Sequence, residues 1–177
     1  MYEHLISPDD LEPSLASPDD ATDIANLRSQ LVDWLHARGI DQWHHGEVGR
    51  ADIREQTTRN EWWIVRTSAG ELIATARLLD QDTAIWGPSD SRAIYLHGLM
   101  VDRQYGGLQL GRQLLDWATA YGRTRNAELV RLDCVAANAA LCDYYLRQGF
   151  HRVGTTDLPG NWTAAALFER AITDDGS

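Results

Sequence analysis

The stretch that most constrains this chain is residues 93–115, AIYLHGLMVDRQYGGLQLGRQLL. An apolar run passes into a short loop holding Gly106, Gly107 and Gly111, and then into the start of an amphipathic helix. Such a junction gathers unpaired backbone N–H groups at the positive end of a helix, beside glycines that permit close approach. That combination suits phosphate.

The bulk properties narrow the function classes. A chain of 177 residues can bury a sizeable core as one domain. No run of 18 or more apolar residues occurs, so no transmembrane helix and no membrane partner are expected. The polar, acidic first twenty residues are unlike a signal or transit peptide. Cys134 and Cys142 make no disulfide framework and lack metal-ligand spacing. These features predict a reduced, cytoplasmic protein with no metal. The formal charge of −10 opposes a nucleic-acid surface, which needs clustered positive charge. An acidic body favours a cationic partner such as an amine, although solubility explains the charge equally well. All 16 basic residues are arginine, which excludes a Schiff-base lysine and a Walker-type phosphate lysine. Seven tryptophans are many for this length, enough to serve both the core and a pocket.

Pro8, Asp9 and Asp10 break any periodicity, so residues 1–10 read as a loose leader and 173–177 as a tail around a single domain, 11–172. A short strand fits 11–16. Ser17-Pro18-Asp19-Asp20 supplies an N-cap serine, a proline at the first helical position and an acid three residues on. Ile24, Leu27, Leu31, Trp34 and Leu35 then recur at helical spacing up to Gly39, predicting a helix over 18–38. A weaker helix follows near 48–59, then strands at 61–68 and 71–79 joined by Ala69-Gly70. A polar loop with Gly87-Pro88 leads to a strand at 93–101, and the helix after the glycine loop buries Leu114, Leu115, Ala118, Tyr121 and Gly122. A strand at 129–136, a helix capped by Asn138 and stopped at Gly149, and strands at 150–156 and 164–172 complete the order βααβββαβαββ. This is a mixed α/β domain.

The element order, the glycine loop opening a helix, and the spacing N-x6-Y-x3-GF in Asn138, Tyr145, Gly149 and Phe150 resemble the GNAT superfamily of acetyl-CoA-dependent N-acetyltransferases. The resemblance covers roughly 11–172 and is strongest from Tyr95 to Phe150. It implies a mostly antiparallel central sheet flanked by helices, splayed between strands four and five, with the pantetheine arm of coenzyme A in the split. Leu99, Met100 and Val101 end the fourth strand, where free backbone groups would pair with pantetheine amides. Gly106, Gly107, Leu108, Gln109, Leu110, Gly111 and Arg112 would present consecutive N–H groups to the pyrophosphate, with charge added by Arg103 and Arg112. Against the family pattern R/Q-x-x-G-x-G/A only Gly111 matches, and Gln109 stands where a glycine usually permits close approach. Backbone donors survive any side chain that keeps the geometry.

Carried onto this sequence, the family's general acid is Tyr145, a phenol that protonates the departing CoA thiolate. Its alternative role is packing against Leu141, one helical turn earlier. Asn138 caps its helix and, by the resemblance, also contacts CoA. His97 is the best candidate base, since imidazole titrates near neutrality, and period-two alternation sets it on the face of Tyr95, Leu99 and Val101. A histidine hydrogen-bonded inside the sheet is the equal alternative. Asp133, on the neighbouring strand, is a second candidate base or an acceptor contact, against a structural carboxylate paired with arginine. The resemblance places the acceptor pocket around the first two helices, where Trp34, Asp41, Gln42, Trp43, His44 and His45 lie, with Trp62, Trp63 and Trp86 nearby. Aromatic and acidic groups there would hold an amine, and Trp34, Trp43 and His44 are the candidates. Core packing is the alternative for Trp34 and for at least one of Trp62 and Trp63. The His44-His45 pair lacks a partner at metal-site spacing.

The expected function is transfer of acetyl from acetyl-CoA to a primary amine of a small molecule by direct attack in a ternary complex. A protein amine and a catalytically silent CoA-binding domain are the alternatives. The resemblance also allows a homodimer.

Overall fold

A computed structural model describes residues 11–158 and 163–173. The leader at 1–10 and tail residues 174–177 lie outside the described residues.

The N-terminal signal folds as its residues dictate. The Ser17 amide donates to the Asp20 carboxylate at 2.7 Å and the Ser17 hydroxyl donates to the same oxygen at 2.9 Å. A single 3-10 turn at Pro18–Asp20 then opens α1 (Ala21–His36), with Ile24, Leu27 and Leu31 buried. Helix α2 (Arg50–Thr58) starts where the Gly49 amide donates to Asp52 at 2.7 Å. The strands are β1 (Ser14–Leu15), β2 (Trp62–Arg66), β3 (Leu72–Leu79), β4 (Ala93–Val101), β5 (Leu129–Val135), β6 (His151–Asp157) and β7 (Ala164–Ala171). Their order in the sheet is β1-β2-β3-β4-β5-β7-β6. The β4–β5 pair is parallel, while β1–β2, β2–β3, β5–β7 and β6–β7 are antiparallel. With α4 (Leu110–Thr124) and α5 (Ala139–Arg147) this is the mixed, mostly antiparallel α/β class expected. Two short elements escaped the sequence reading: a four-residue helix, α3 (Thr83–Trp86), in the loop before β4, and a 3-10 turn at Arg103–Tyr105 after it. Four residues are too few to show a helical period.

Two compact units divide the chain. The first holds residues up to Gly39, 43–77 and 98–115; the second holds 40–42, 78–97 and the chain from Asp116 on. In the first, Ile24, Leu27, Leu31, Ile53, Trp62, Ile64 and Met100 form one buried cluster. Guanidinium groups tie its surface together. Arg66 reaches Asp20 and Asp23 at 2.7 and 2.8 Å, and Glu61 receives Arg59 and Arg77 at 2.6 Å each. In the second unit β5 pairs with β7 along its full length, from Leu129–Ala171 to Val135–Ala165. Phe150 and Phe168 are fully buried there. The Asn138 side chain caps α5 by accepting from the Leu141 amide at 3.2 Å.

Strand β4 contributes to both units, and its backbone changes at the junction. The parallel ladder with β5 runs only from Ala93–Leu129 to Leu96–Leu132. Two residues later Gly98 takes φ +53°, left-handed backbone inside a strand. A Cβ at this position would sit 2.5 and 2.7 Å from the Trp62 ring. That ring is fixed, because Trp62 Nε1 donates to Gln56 at 2.8 Å and the side chain is 3% exposed. The Thr75 hydroxyl donates to the Gly98 carbonyl at 2.7 Å and holds the kink from the side. Alanine at position 98 therefore meets both a conformational and a steric cost. Gly98→Ala is expected to lower the unfolding free energy by about 2–4 kcal/mol, read as a shifted urea midpoint at unchanged slope. A change below about 0.5 kcal/mol, the range of ordinary surface substitutions, would show that the Trp62 contact is not what demands glycine.

Candidate active site

His97 ends the portion of β4 that lies in the second unit, and two carboxylates bracket its ring. Nε2 lies 2.9 Å from Asp82, and Nδ1 lies 3.7 Å from Asp133. The first distance is a hydrogen bond and the second is too long for one. All three side chains are largely enclosed, at 21%, 8% and 14% exposure for His97, Asp82 and Asp133. Burial is the main force pushing the Asp133 carboxyl up; the His97 charge opposes it and the Asp82 charge adds to it. Its Oδ1 is buried and accepts no hydrogen bond. The donor atoms of the three groups lie within 4.8 Å of one another, a span that a divalent ion could bridge. Asp82 holds one ring nitrogen by a hydrogen bond and Asp133 faces the other without one, an imidazole braced from one side and suited to moving protons.

The sequence reading found two of these three groups. Asp133 does not pair with an arginine, as its structural alternative required; its charged neighbours among the described residues are His97 and Asp82. Asp82 was missed. It begins α3, its side chain accepting from the Ile85 amide at 3.4 Å and its carbonyl from the Trp86 amide at 3.0 Å. The sequence signal available was an aspartate capping a short helix in the loop before β4. Gly98, between His97 and Leu99, takes left-handed backbone within the strand, and His97, Leu99 and Val101 are all partly buried.

Tyr145 lies in the same unit, 6% exposed, with its ring against Tyr144, Phe150 and Phe168 at 5.5, 6.0 and 5.8 Å between centroids. Burial, aided by the neighbouring Cys134, Tyr144 and Asp133, drives its phenol far above the ordinary range. It therefore stays protonated at every pH at which the protein works, a standing donor. The Cys134 and Cys142 sulfurs are 3.6 Å apart and buried, and burial pushes the Cys134 thiol strongly up. A buried thiol pushed up in this way is a poor nucleophile. Asn138 uses its amide oxygen for the α5 cap, while its nitrogen donates at 3.2 Å to Gln42, which also accepts from the Val135 amide at 3.3 Å.

In the first unit the loop from Gly106 to α4 has a distinct backbone. Gly107 takes φ +90° and Gln109 takes φ +57°, so Gln109 occupies the conformation that a glycine would supply. Among the described residues, no backbone carbonyl accepts from the amides of Gly107, Leu108, Gln109, Leu110 and Gly111. The Gln113 side chain donates to the Leu108 carbonyl at 3.1 Å and braces the loop from inside the helix. Arg103 turns to the Trp34 ring, 4.2 Å from its centroid, with Arg38 at 4.1 Å from the same ring. Trp34 is thus a half-buried platform between two guanidinium groups, not a core residue. Trp43 packs on the core under Arg28, Trp62 is core, and His44 is exposed, with its ring 5.3 Å from that of His36.

Residues 28–150 match the model of the acetyltransferase (GNAT) family. A curated relative, an uncharacterized N-acetyltransferase named YesJ from Bacillus subtilis (strain 168), is 35% identical over 162 residues, covering 88% of this chain and 87% of its own. A GNAT-family acetyltransferase structure from Listeria monocytogenes superposes with TM-score 0.76 at 27% identity, over 95% of this chain and 99% of that one. The putative acetyltransferase yncA from Salmonella typhimurium, solved with its cofactor acetyl-CoA, has the same fold at TM-score 0.68 and 16% identity, covering 94% and 96%. With its family signature spread over more than two thirds of its length, and a mixed sheet of the matching kind, the chain belongs to the GNAT acetyltransferase family.

Proposed function

We propose that this protein transfers acetyl from acetyl-CoA to a primary amine of a small molecule, by direct attack of the amine on the thioester within a ternary complex. The observation that carries this reading is that one unit holds both an imidazole hydrogen-bonded to a carboxylate and a buried phenol, with Asp133 near each. Acetyl-CoA supplies the activated acyl group; the chain supplies the proton acceptor and donor. His97 takes the proton that the attacking nitrogen must lose, with Asp82 holding the resulting imidazolium. Tyr145 donates its hydroxyl proton to the sulfur that leaves as the carbon–sulfur bond breaks. Direct attack is favoured because neither cysteine is a credible acyl carrier: Cys134 is buried with its thiol pushed up, and a thiol must ionise to attack.

The loop at 107–111 fits a pyrophosphate through backbone amides alone, for which the side chain of residue 109 matters only through φ. Leu99, Met100 and Val101 offer the strand backbone for the pantetheine amides, and backbone N–H there would stabilise the oxyanion. Trp34, Trp43, His44 and Asp133 are the candidates for holding the acceptor, the aromatic rings by stacking and Asp133 by charge.

The test is thiol release from acetyl-CoA across a panel of amines. Tyr145→Phe is expected to lower kcat by about 100-fold, and His97→Gln by about 100- to 1000-fold, with little change in KM for acetyl-CoA. Turnover of no amine, together with CoA binding unaffected by either substitution, would replace catalysis with ligand binding as the function. A second expectation concerns the loop. Gln109→Gly is expected to hold KM for acetyl-CoA within about twofold or lower it, since glycine accepts positive φ freely. Gln109→Pro, whose ring fixes φ near −65°, is expected to raise that KM at least about tenfold. Equal behaviour of the two would mean that the amides at 107–111 do not hold phosphate.

A further inference from the structure

Arg131 is a heavily engaged cation of the second unit, and the proposed reaction does not use it. It lies on β5, its side chain 11% exposed, with Nε donating to Glu169 on β7 at 3.2 Å. The rest of the guanidinium faces the segment before β4. One terminal nitrogen donates to the Ser89 hydroxyl at 3.0 Å and the Tyr95 hydroxyl at 3.1 Å; the other donates to the Ser91 hydroxyl at 3.3 Å. The plane of the group stacks 4.7 Å from the Trp86 ring centroid, and that ring meets Tyr95 edge-on at 5.9 Å. Three residues of one loop are thereby fastened to a central strand by a single planar fork, a task for which lysine has neither the shape nor the donors.

The fastened loop leads directly to the imidazole. Trp86 is the last residue of α3, and its amide closes the turn onto the Asp82 carbonyl at 3.0 Å. Asp82 then reaches His97 Nε2 at 2.9 Å. An isolated four-residue turn has no stability of its own in water, so something outside it must hold it in place.

We propose that Arg131 is a positioning residue for His97: by clamping Trp86, Ser89 and Ser91 it fixes the single helical turn that presents Asp82 to the imidazole. The catalytic meaning of the clamp rests on the reading of His97 as the proton acceptor; the clamp itself is a statement about geometry and can be tested apart from turnover. The charged groups facing His97 are Asp82 from the start of α3 and Asp133 from β5. Arg131 stands two residues before Asp133 on that strand, balanced by Glu169. This arrangement gives the test a sign. Removing a positive charge from the neighbourhood would by itself make His97 easier to protonate. Releasing Asp82 makes it harder, because the carboxylate stabilises the imidazolium.

The experiment is a pH titration of the full chain carrying 13C-labelled histidine, following the His97 ring resonance in the wild type, Asp82→Asn, Arg131→Met, Arg131→Lys and the Asp82→Asn/Arg131→Met double variant. Asp82→Asn is expected to lower the His97 midpoint by about one pH unit or more. Arg131→Met is expected to lower it by at least half as much, with Arg131→Lys close behind despite its retained charge. The double variant should add nothing beyond Asp82→Asn. A midpoint raised or unmoved in Arg131→Met, or restored by lysine, would overturn the clamp. Where Arg131→Met fails to fold, Ser89→Ala/Ser91→Ala decides: a smaller fall supports the proposal, and none overturns it. The catalytic reading fails separately, if His97→Gln leaves thiol release and its acid limb as in the wild type. If it stands, Asp82→Asn and Arg131→Met both move that acid limb to lower pH.

Discussion

The arrangement depends on one change of backbone hand. Up to His97, β4 is an ordinary strand in parallel register with β5. At Gly98 it turns left-handed beneath the Trp62 ring, in a space that closes to 2.5 Å where a side chain would begin. Residues before the kink belong to the unit with the imidazole and the buried phenol; those after it belong to the unit with the glycine loop at 106–111. No side chain fits at position 98 beneath that ring, so a glycine and a tryptophan 36 positions apart together set the path of β4.

Much of the architecture was legible from local chemistry. The Ser17–Asp20 cap, the Asn138 cap and the bounds of β4 follow from residues within a turn or two of each other, and local signals reach that far. The family signature in 138–150 and the glycine loop likewise reside in contiguous sequence. Illegible parts are those made by distance or by exceptions to periodicity. Asp82 meets His97 across 15 positions, through a helix too short to have a period. Trp34 has core spacing on α1, yet lies between Arg38 and Arg103, because a cation contact outweighed the stripe. Gln109 shows the converse. It departs from the family pattern in identity, yet its φ of +57° lies in the left-handed region that glycine adopts freely.

The second unit concentrates polar groups where burial makes them expensive, and its solution is to give most of them fixed partners. Arg131 spends its donors on a carboxylate and three hydroxyls, and Asn138 and Gln42 satisfy each other and the end of β5. Exceptions are Trp86 Nε1 and Asp133 Oδ1, both buried and without a hydrogen-bond partner among the described residues. An unsatisfied carboxylate oxygen is a standing cost to the fold, and such costs persist where a function uses them. Tyr145 is enclosed in the same way, its pKa moved by burial away from ionisation and toward donation.

The ion pairs that fasten this protein have one further consequence. Apart from histidines, the cationic partners in the described ion pairs, from Arg66 between two aspartates to Arg131 on β5, are guanidinium groups. A guanidinium stays protonated and delocalised at any physiological pH, so it offers no lone pair to an acyl donor. Lysine would hold several of these carboxylates adequately, but its ammonium sheds a proton far more readily and becomes an amine. With no lysine among its 177 residues, the chain has no side-chain amine to lose to acetylation. In a member of an acetyltransferase family, this composition leaves no side-chain ammonium whose charge acetylation could remove from the ion-pair network.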